Sequence, residues 1–245
     1  MLMGPQNLPE RLDQVRKRIE TAALQAGRCV DSITLLGVTK GQPASIVIAG
    51  AQAGIRDFGE SYLQEALEKI PAVAAPQPPT WHFIGRVQSN KTRPVAETFA
   101  WVHAVDRLKI AERLAEQRPY YAPALNVCLQ VNVADEQTKG GVTLPELHAL
   151  AAAVAALPRL KLRGLMCLPP EEDDPERQRH WFRKVRVALE ELNGRGMGLD
   201  TLSMGMSGDL EAAILEGATI VRVGTALFGP RVATPDPAPG SRAIR

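Results

Sequence analysis

Thr201-Leu-Ser-Met-Gly-Met-Ser-Gly-Asp-Leu-Glu-Ala-Ala-Ile-Leu-Glu-Gly-Ala-Thr-Ile-Val-Arg-Val-Gly-Thr225 reads as strand, glycine turn, helix, strand and a second glycine turn. The strands are Thr201–Met204 and Ile220–Val223, and the helix is Asp209–Leu215. Glycine-rich turns that open helices present free backbone amides and bind anions. Ser207 is placed to cap the helix beginning near Gly208, and Gly224-Thr225 supplies the second turn. Gly205 and Met206 fall in the first of these candidate phosphate turns.

Upstream, the same alternation of strand and helix continues. Strands are expected at Ile33–Val38, Ile55–Gly59, Trp81–Ile84, Trp101–Val105, Leu125–Val133 and Leu162–Leu168. Helices are expected at Leu8–Ala26 (with Asn7 as its cap), Pro43–Ala53, Tyr62–Ile70, Arg107–Gln117, Leu144–Leu157 and Pro175–Leu192. A weaker helix, Gln88–Thr98, is interrupted by Pro94. Eight strands separated by helices in 245 residues predict a single (β/α)8 TIM barrel over residues 1–230, with a flexible tail over 231–245. The competing doubly wound sheet more often carries a GxGxxG turn after its first strand, and none is present. Pro71–Pro79 reads as a surface connection, and the charged stretch Glu171–Arg186 as a solvated loop and helix face.

Composition narrows the function. Twenty-nine basic and 27 acidic residues leave a net charge of +2, which gives no electrostatic case for nucleic acid or a membrane surface. Cys29, Cys128 and Cys167 lack metal or disulfide spacing and read as reduced, mostly buried thiols. No signal peptide or apolar run of membrane-spanning length is visible, so a cytoplasmic protein is expected. His82, inside a strand, reads as a hydrogen-bonded core residue. No metal is assigned.

In a barrel, functional residues gather at the C-terminal ends of the strands. Lys40 follows the first strand, with alternation placing it on the side of Leu36 and Val38, towards the barrel mouth. A desolvated lysine amine forms a Schiff base with an aldehyde. Taken with the two phosphate turns, it points to pyridoxal phosphate as cofactor. Arg222, inside the last strand, needs a partner: an acid such as Glu60 or Asp209, or the pyridine nitrogen of the cofactor. A guanidinium does not give up a proton, so a ring facing it is a weak electron sink.

The chain resembles the YggS/PROSC family of pyridoxal phosphate homeostasis proteins. The resemblance is carried by Val38-Thr-Lys40, Phe58-Gly-Glu-Ser-Tyr-Leu-Gln-Glu65 and Trp81-His-Phe-Ile-Gly-Arg-Val-Gln-Ser-Asn-Lys91. It is also carried by Lys139-Gly-Gly141, Arg163-Gly-Leu-Met-Cys167, Leu202-Ser-Met-Gly-Met-Ser207 and Val221-Arg-Val-Gly-Thr225. It implies a fold type III barrel similar to the N-terminal domain of alanine racemase, and an internal aldimine on Lys40. It further implies phosphate contacts from Ser207, Gly224 and Thr225, and a pyridine contact from Arg222. Two positions depart from the family pattern: Ser61 stands where asparagine is usual, near the ring, and Gly140 where serine is frequent.

The implied role is to hold and supply the cofactor, balancing amino- and keto-acid pools without robust turnover. An incoming amine, or the lysine of an apo-enzyme recipient, would displace Lys40. A monomer is expected. A weak amino-acid racemase is the alternative. It needs a second base, and of Tyr62, Tyr120 and Tyr121 only Tyr62 falls near the mouth, where packing on a helix face is the expected role. A Schiff-base aldolase would explain Lys40 and the phosphate turns but not the family resemblance.

Overall fold

The computed structural model describes residues 8–74, 77–136 and 140–230. Eight parallel strands close into a barrel in sequence order, β1-β2-β3-β4-β5-β6-β7-β8. They are β1 (Thr34–Val38), β2 (Asp57–Glu60), β3 (Thr80–Phe83), β4 (Trp101–Val105), β5 (Leu125–Val131), β6 (Leu160–Cys167), β7 (Thr201–Ser203) and β8 (Ile220–Val223). The last strand closes on the first with Leu36 opposite Arg222 and Gly37 opposite Val223. The (β/α)8 expectation is met.

Helices α1 (Leu8–Gln25), α2 (Ala44–Gln52), α3 (Leu63–Ala72), α4 (Thr92–Thr98), α5 (Leu108–Gln117), α6 (Leu144–Ala155), α7 (Pro175–Gly194) and α8 (Leu210–Leu215) surround the sheet. A further short helix, α9 (Thr225–Phe228), begins at the second glycine turn. With one turn only, it leaves no periodic signal in the sequence. Two helix expectations are corrected. Pro71 lies inside the last turn of α3 rather than beginning a loop. Pro94 does not interrupt α4: it falls in the first turn, where no amide hydrogen is needed, and a 3-10 turn (Ser89–Lys91) precedes it. The Asn7 cap, Lys139 and the tail from 231 lie outside the described residues.

The main apolar core lies between the sheet and the helices. Phe58 packs beside Trp81, with ring centroids 5.9 Å apart, and lies against Gly50 of α2. A second, small cluster of Ala104, Cys128 and Met166 has Trp101 packed against it. Burial pushes the Cys128 and Cys167 thiols up to about 12. Cys29 is exposed. The charged stretch after β6 is only partly a solvated face. Arg179, Arg183 and Arg186 of α7 converge on the buried Glu216 at the end of α8, at 2.9, 2.9 and 3.4 Å. No helix among the described residues is long and apolar enough to cross a membrane.

One glycine is dictated by strand packing. Gly164 of β6 lies opposite Thr201 of β7. A Cβ there would stand 1.8 Å from the Thr201 carbonyl oxygen, a backbone atom that cannot yield without opening the sheet. Gly194, the last residue of α7, has open space at its Cβ position. Gly164→Ala is expected to destabilise by about 3 kcal/mol or more, as overpacking does. Gly194→Ala is expected to stabilise by about 0.5–1 kcal/mol through helix propensity. Urea unfolding of the two variants beside the parent checks both signs.

Candidate functional site

A cavity of about 270 Å3 opens at the C-terminal mouth of the barrel. Of the residues singled out in the sequence, Lys40, Ser61, Met206, Ser207, Arg222, Gly224 and Thr225 line it. They come from the ends of β1, β2, β7 and β8, and barrel closure brings them together. Gly205 does not line the cavity. It turns the chain with φ +91°, and an added Cβ would lie 2.6 Å from the Ala213 methyl, so it supports the turn from behind. Its carbonyl accepts from the Arg222 amide at 2.9 Å.

Sequence reading missed Gln42, Ile84, Met166 and Leu168 in the wall. Met166 could have been found by alternation along β6. Gln42 could not, because it is placed by its amide donating to the Pro230 carbonyl at 3.1 Å, far along the chain.

The two turns are joined to each other. The Ala226 amide in the first turn of α9 donates to Ser207 Oγ at 3.4 Å. Ser207 is therefore not the cap of α8, as the sequence suggested. Asp209 occupies that position, and its carboxylate accepts from the Met206 amide at 2.5 Å. Lying ahead of the helix, Ser207 is left to face the cavity and α9. Helix α1 braces this turn from outside: Arg18 donates to the Ser207 carbonyl at 2.9 Å and pairs with Glu211 at 2.6 Å.

Arg222 is buried, with neither Glu60 nor Asp209 as its hydrogen-bonded partner. Its Nη1 donates to the Ser203 carbonyl and to Ser203 Oγ, the latter at 2.9 Å, and its Nη2 donates to the Cys167 carbonyl at 2.8 Å. Burial pulls the guanidinium below its ordinary value, opposed by Cys167 and Asp209. It remains a cation, since arginine does not deprotonate in proteins. Three of its five N–H donors are thus engaged. The Nε hydrogen and one on Nη2 have no acceptor among the described residues.

Glu60, one of the acids weighed as a partner for Arg222, faces the opposite way. It points outward from β2, accepting from Lys69 Nζ at 2.6 Å and from Thr39 Oγ1 at 2.7 Å. Lys69 also donates to the Thr39 carbonyl at 2.8 Å and to Glu65 Oε1 at 2.6 Å. Glu65 Oε1 in turn accepts from the Gly41 amide at 2.8 Å. The residues on either side of Lys40 are therefore clamped to one buried ion cluster, which fixes where the Lys40 side chain leaves the backbone. Tyr62 is 54% exposed and lines a neighbouring depression instead of the Lys40 cavity.

Removing one partner from a buried ion pair strands the other charge. Lys69→Met is expected to cost about 3–5 kcal/mol in urea unfolding. Glu65→Ala, by freeing the Gly41 amide, is expected to speed hydrogen exchange there about tenfold with a smaller stability loss, since Lys69 keeps Glu60 as its buried partner.

Residues 11–232 match the family described as alanine racemase, N-terminal domain. A pyridoxal phosphate homeostasis protein of Pseudomonas aeruginosa is 57% identical over 224 residues, covering 91% of this chain and 96% of the relative. One of Escherichia coli K12 is 50% identical over 230 residues, covering 92% and 97%. Among solved structures, PipY of Synechococcus elongatus with pyridoxal phosphate bound aligns with TM-score 0.79 at 33% identity, over 91% of this chain and all of that one. Alanine racemase of Corynebacterium glutamicum shares the fold at TM-score 0.66 and 19% identity, over 92% of this chain and 64% of its own. The chain carries the alanine racemase N-terminal domain and belongs to the pyridoxal phosphate homeostasis protein family.

Proposed function

We propose that this protein binds pyridoxal phosphate reversibly in the mouth cavity and serves cofactor homeostasis, with Lys40 as the covalent attachment point. One observation carries the reading: a lysine amine, a guanidinium and two adjoining glycine turns line a single cavity. The residues suit the group. Ser207 and the first-turn amide of Thr225 offer donors where a phosphate would sit. The spare N–H donors of Arg222 suit an unprotonated pyridine nitrogen, which only accepts. Ser61 lines the wall nearby, with a hydroxyl shorter than the asparagine of the family pattern. When bound, the cofactor supplies an aldehyde that primary amines take up and release.

This chain's own groups hold and orient more than they move protons. Arg222 donates without accepting a proton. Ser207 and Thr225 hold the phosphate end. The clamp at Thr39 and Gly41 aims Lys40 across the cavity. No tyrosine lines the cavity among the described residues, which supports holding over two-base racemisation. Tyr120 and Tyr121 are exposed on the outer surface, at 88% and 79%. An incoming amine, including the lysine of an apo-enzyme, is the natural competitor for Lys40. The same reading keeps the protein monomeric and in the cytoplasm.

Borohydride reduction of the cofactor-loaded protein, followed by peptide mass spectrometry, is expected to place a pyridoxyl group on Lys40. Lys40→Ala is expected to lose the yellow absorption band. Added L-alanine in heavy water is expected to release cofactor while keeping its α-proton, followed by NMR. Lysine-dependent loss of that proton, above the rate with free cofactor, would instead establish racemase-type chemistry.

A further inference from the structure

The interior of the barrel holds a continuous line of polar side chains. Arg222 Nη1 donates to Ser203 Oγ at 2.9 Å. Ser203 Oγ is 2.7 Å from His103 Nδ1. His103 Nε2 is 2.9 Å from His82 Nδ1, and His82 Nε2 is 3.0 Å from Asp57 Oδ1. Ser203, His103, His82 and Arg222 are all buried. Asp57, at the start of β2, has a side chain 25% exposed and lines a separate cavity at the N-terminal end of the barrel. The line therefore runs from one end of the barrel to the floor of the cavity at the other.

Chemistry gives the line a single direction. Arginine only donates, and an ionised carboxylate only accepts. At the far end the Asp57 carboxylate accepts, so a neutral His82 carries its proton on Nε2 and accepts on Nδ1. A neutral His103 donates there from Nε2 and accepts on Nδ1, which takes the Ser203 hydrogen. Ser203 Oγ, with its own lone pairs, accepts from Arg222. Every link of the line is then made with both imidazoles neutral. Burial holds both histidines below their ordinary value. For His103, neighbouring His82 and Arg222 act the same way, while Asp57 opposes the shift at His82. The Trp101 ring stacks on His82 at 5.4 Å and Arg163 lies over that ring at 4.7 Å, fixing the imidazole plane. Barrel interiors are ordinarily filled by branched apolar side chains, so a polar line of this length calls for a role beyond filling space.

We propose that Asp57, His82, His103 and Ser203 are positioning residues for Arg222. They form a one-way hydrogen-bond relay that anchors the guanidinium at the cavity floor and links its donation to a bound ring to the Asp57 carboxylate at the far end. The relay rests on the reading of Arg222 as the group facing the cofactor ring. Networks of this kind polarise along their length, so a change at one end is felt at the other.

The test has two arms. Long-range proton–nitrogen NMR on histidine-labelled protein without cofactor is expected to show His82 and His103 neutral with the proton on Nε2. An Nδ1 proton or an imidazolium at either would overturn the relay. In the second arm, Ser203→Ala, which cuts the link, is expected to shift the absorption band of the bound cofactor and weaken its binding about tenfold, the effect of losing one buried hydrogen bond to a charged group. Ser203→Thr, which restores a hydroxyl, is expected to recover both. An unchanged band and affinity in Ser203→Ala, with the protein folded, would reduce the relay to core packing and overturn the proposal. If the unaltered protein took up no cofactor, the function proposed above would fall and the relay's role with it. Tautomers still as assigned would tell that failure from a failure of the relay itself.

Discussion

The structure depends on a cation that cannot be discharged, held inside a closed barrel. Arg222 lies where the last strand meets the first, opposite Leu36. A lysine there could lose its proton and an acid could gain one, but a guanidinium must be solvated by the protein. Solvation comes from the carbonyls of Ser203 and Cys167, the last residues of β7 and β6, and from the Ser203 hydroxyl. Those three strands must end at matched heights for this to work. The same endings leave the mouth open above Arg222, so the groups that bury the charge also shape the cavity over it.

Strand β2 shows how few residues carry the two polar systems. Its side chains alternate between faces, as any strand's must. Asp57 points inward to His82. Phe58 points outward against α2. Gly59 points inward beneath Leu36 and Ile84. Glu60 points outward to Lys69 and Thr39. Four residues thus end the relay towards Arg222 and begin the clamp on the Lys40 loop. A register slip of one residue would exchange the two faces and destroy both systems at once. The functional groups are specified by the same pairing that specifies the barrel.

The fold was legible because strand and helix signals alternate without a break, and each strand lies within a few residues of its expected place. Most of the site was legible too, since closure sends every strand end to one mouth. Four things were hidden, each because it depends on distance in space. Arg222 was expected to need an acid or the cofactor ring; carbonyls at the ends of β6 and β7 serve it where an acid was weighed, and no spacing in the sequence announces a carbonyl. Ser207 was expected to cap α8, yet Asp209 stands at the cap position with the Met206 amide turned back onto its carboxylate. The i,i+4 spacing of Glu65 and Lys69 on α3 gives no sign that Lys69 is buried. That Lys69 is 5% exposed, with the Lys40 loop folded onto it, follows from its bonds to Glu60 of β2 and to the Thr39 carbonyl. His82 was rightly read as a bonded core residue, but its partner His103 comes from the adjacent strand.

The arrangement of charge also bears on the ligand proposed for the cavity. The acids closest to Lys40 in the fold, Glu60 and Glu65, are turned away and committed to Lys69 and to backbone. Asp209 is committed to the Met206 amide. Among the described residues lining the cavity, the charged side chains are Lys40 and Arg222, with no carboxylate between them. A buried guanidinium in that wall is costly to desolvate. The ligand proposed for the cavity offsets that cost: its phosphate is an anion, and its ring acceptor meets the spare donors of Arg222 while Ser207 faces the phosphate. A neutral or cationic molecule of the same size gains no such advantage. By folding its carboxylates outward into the clamp, the protein leaves a mouth whose charge favours anions before any ring contact is made.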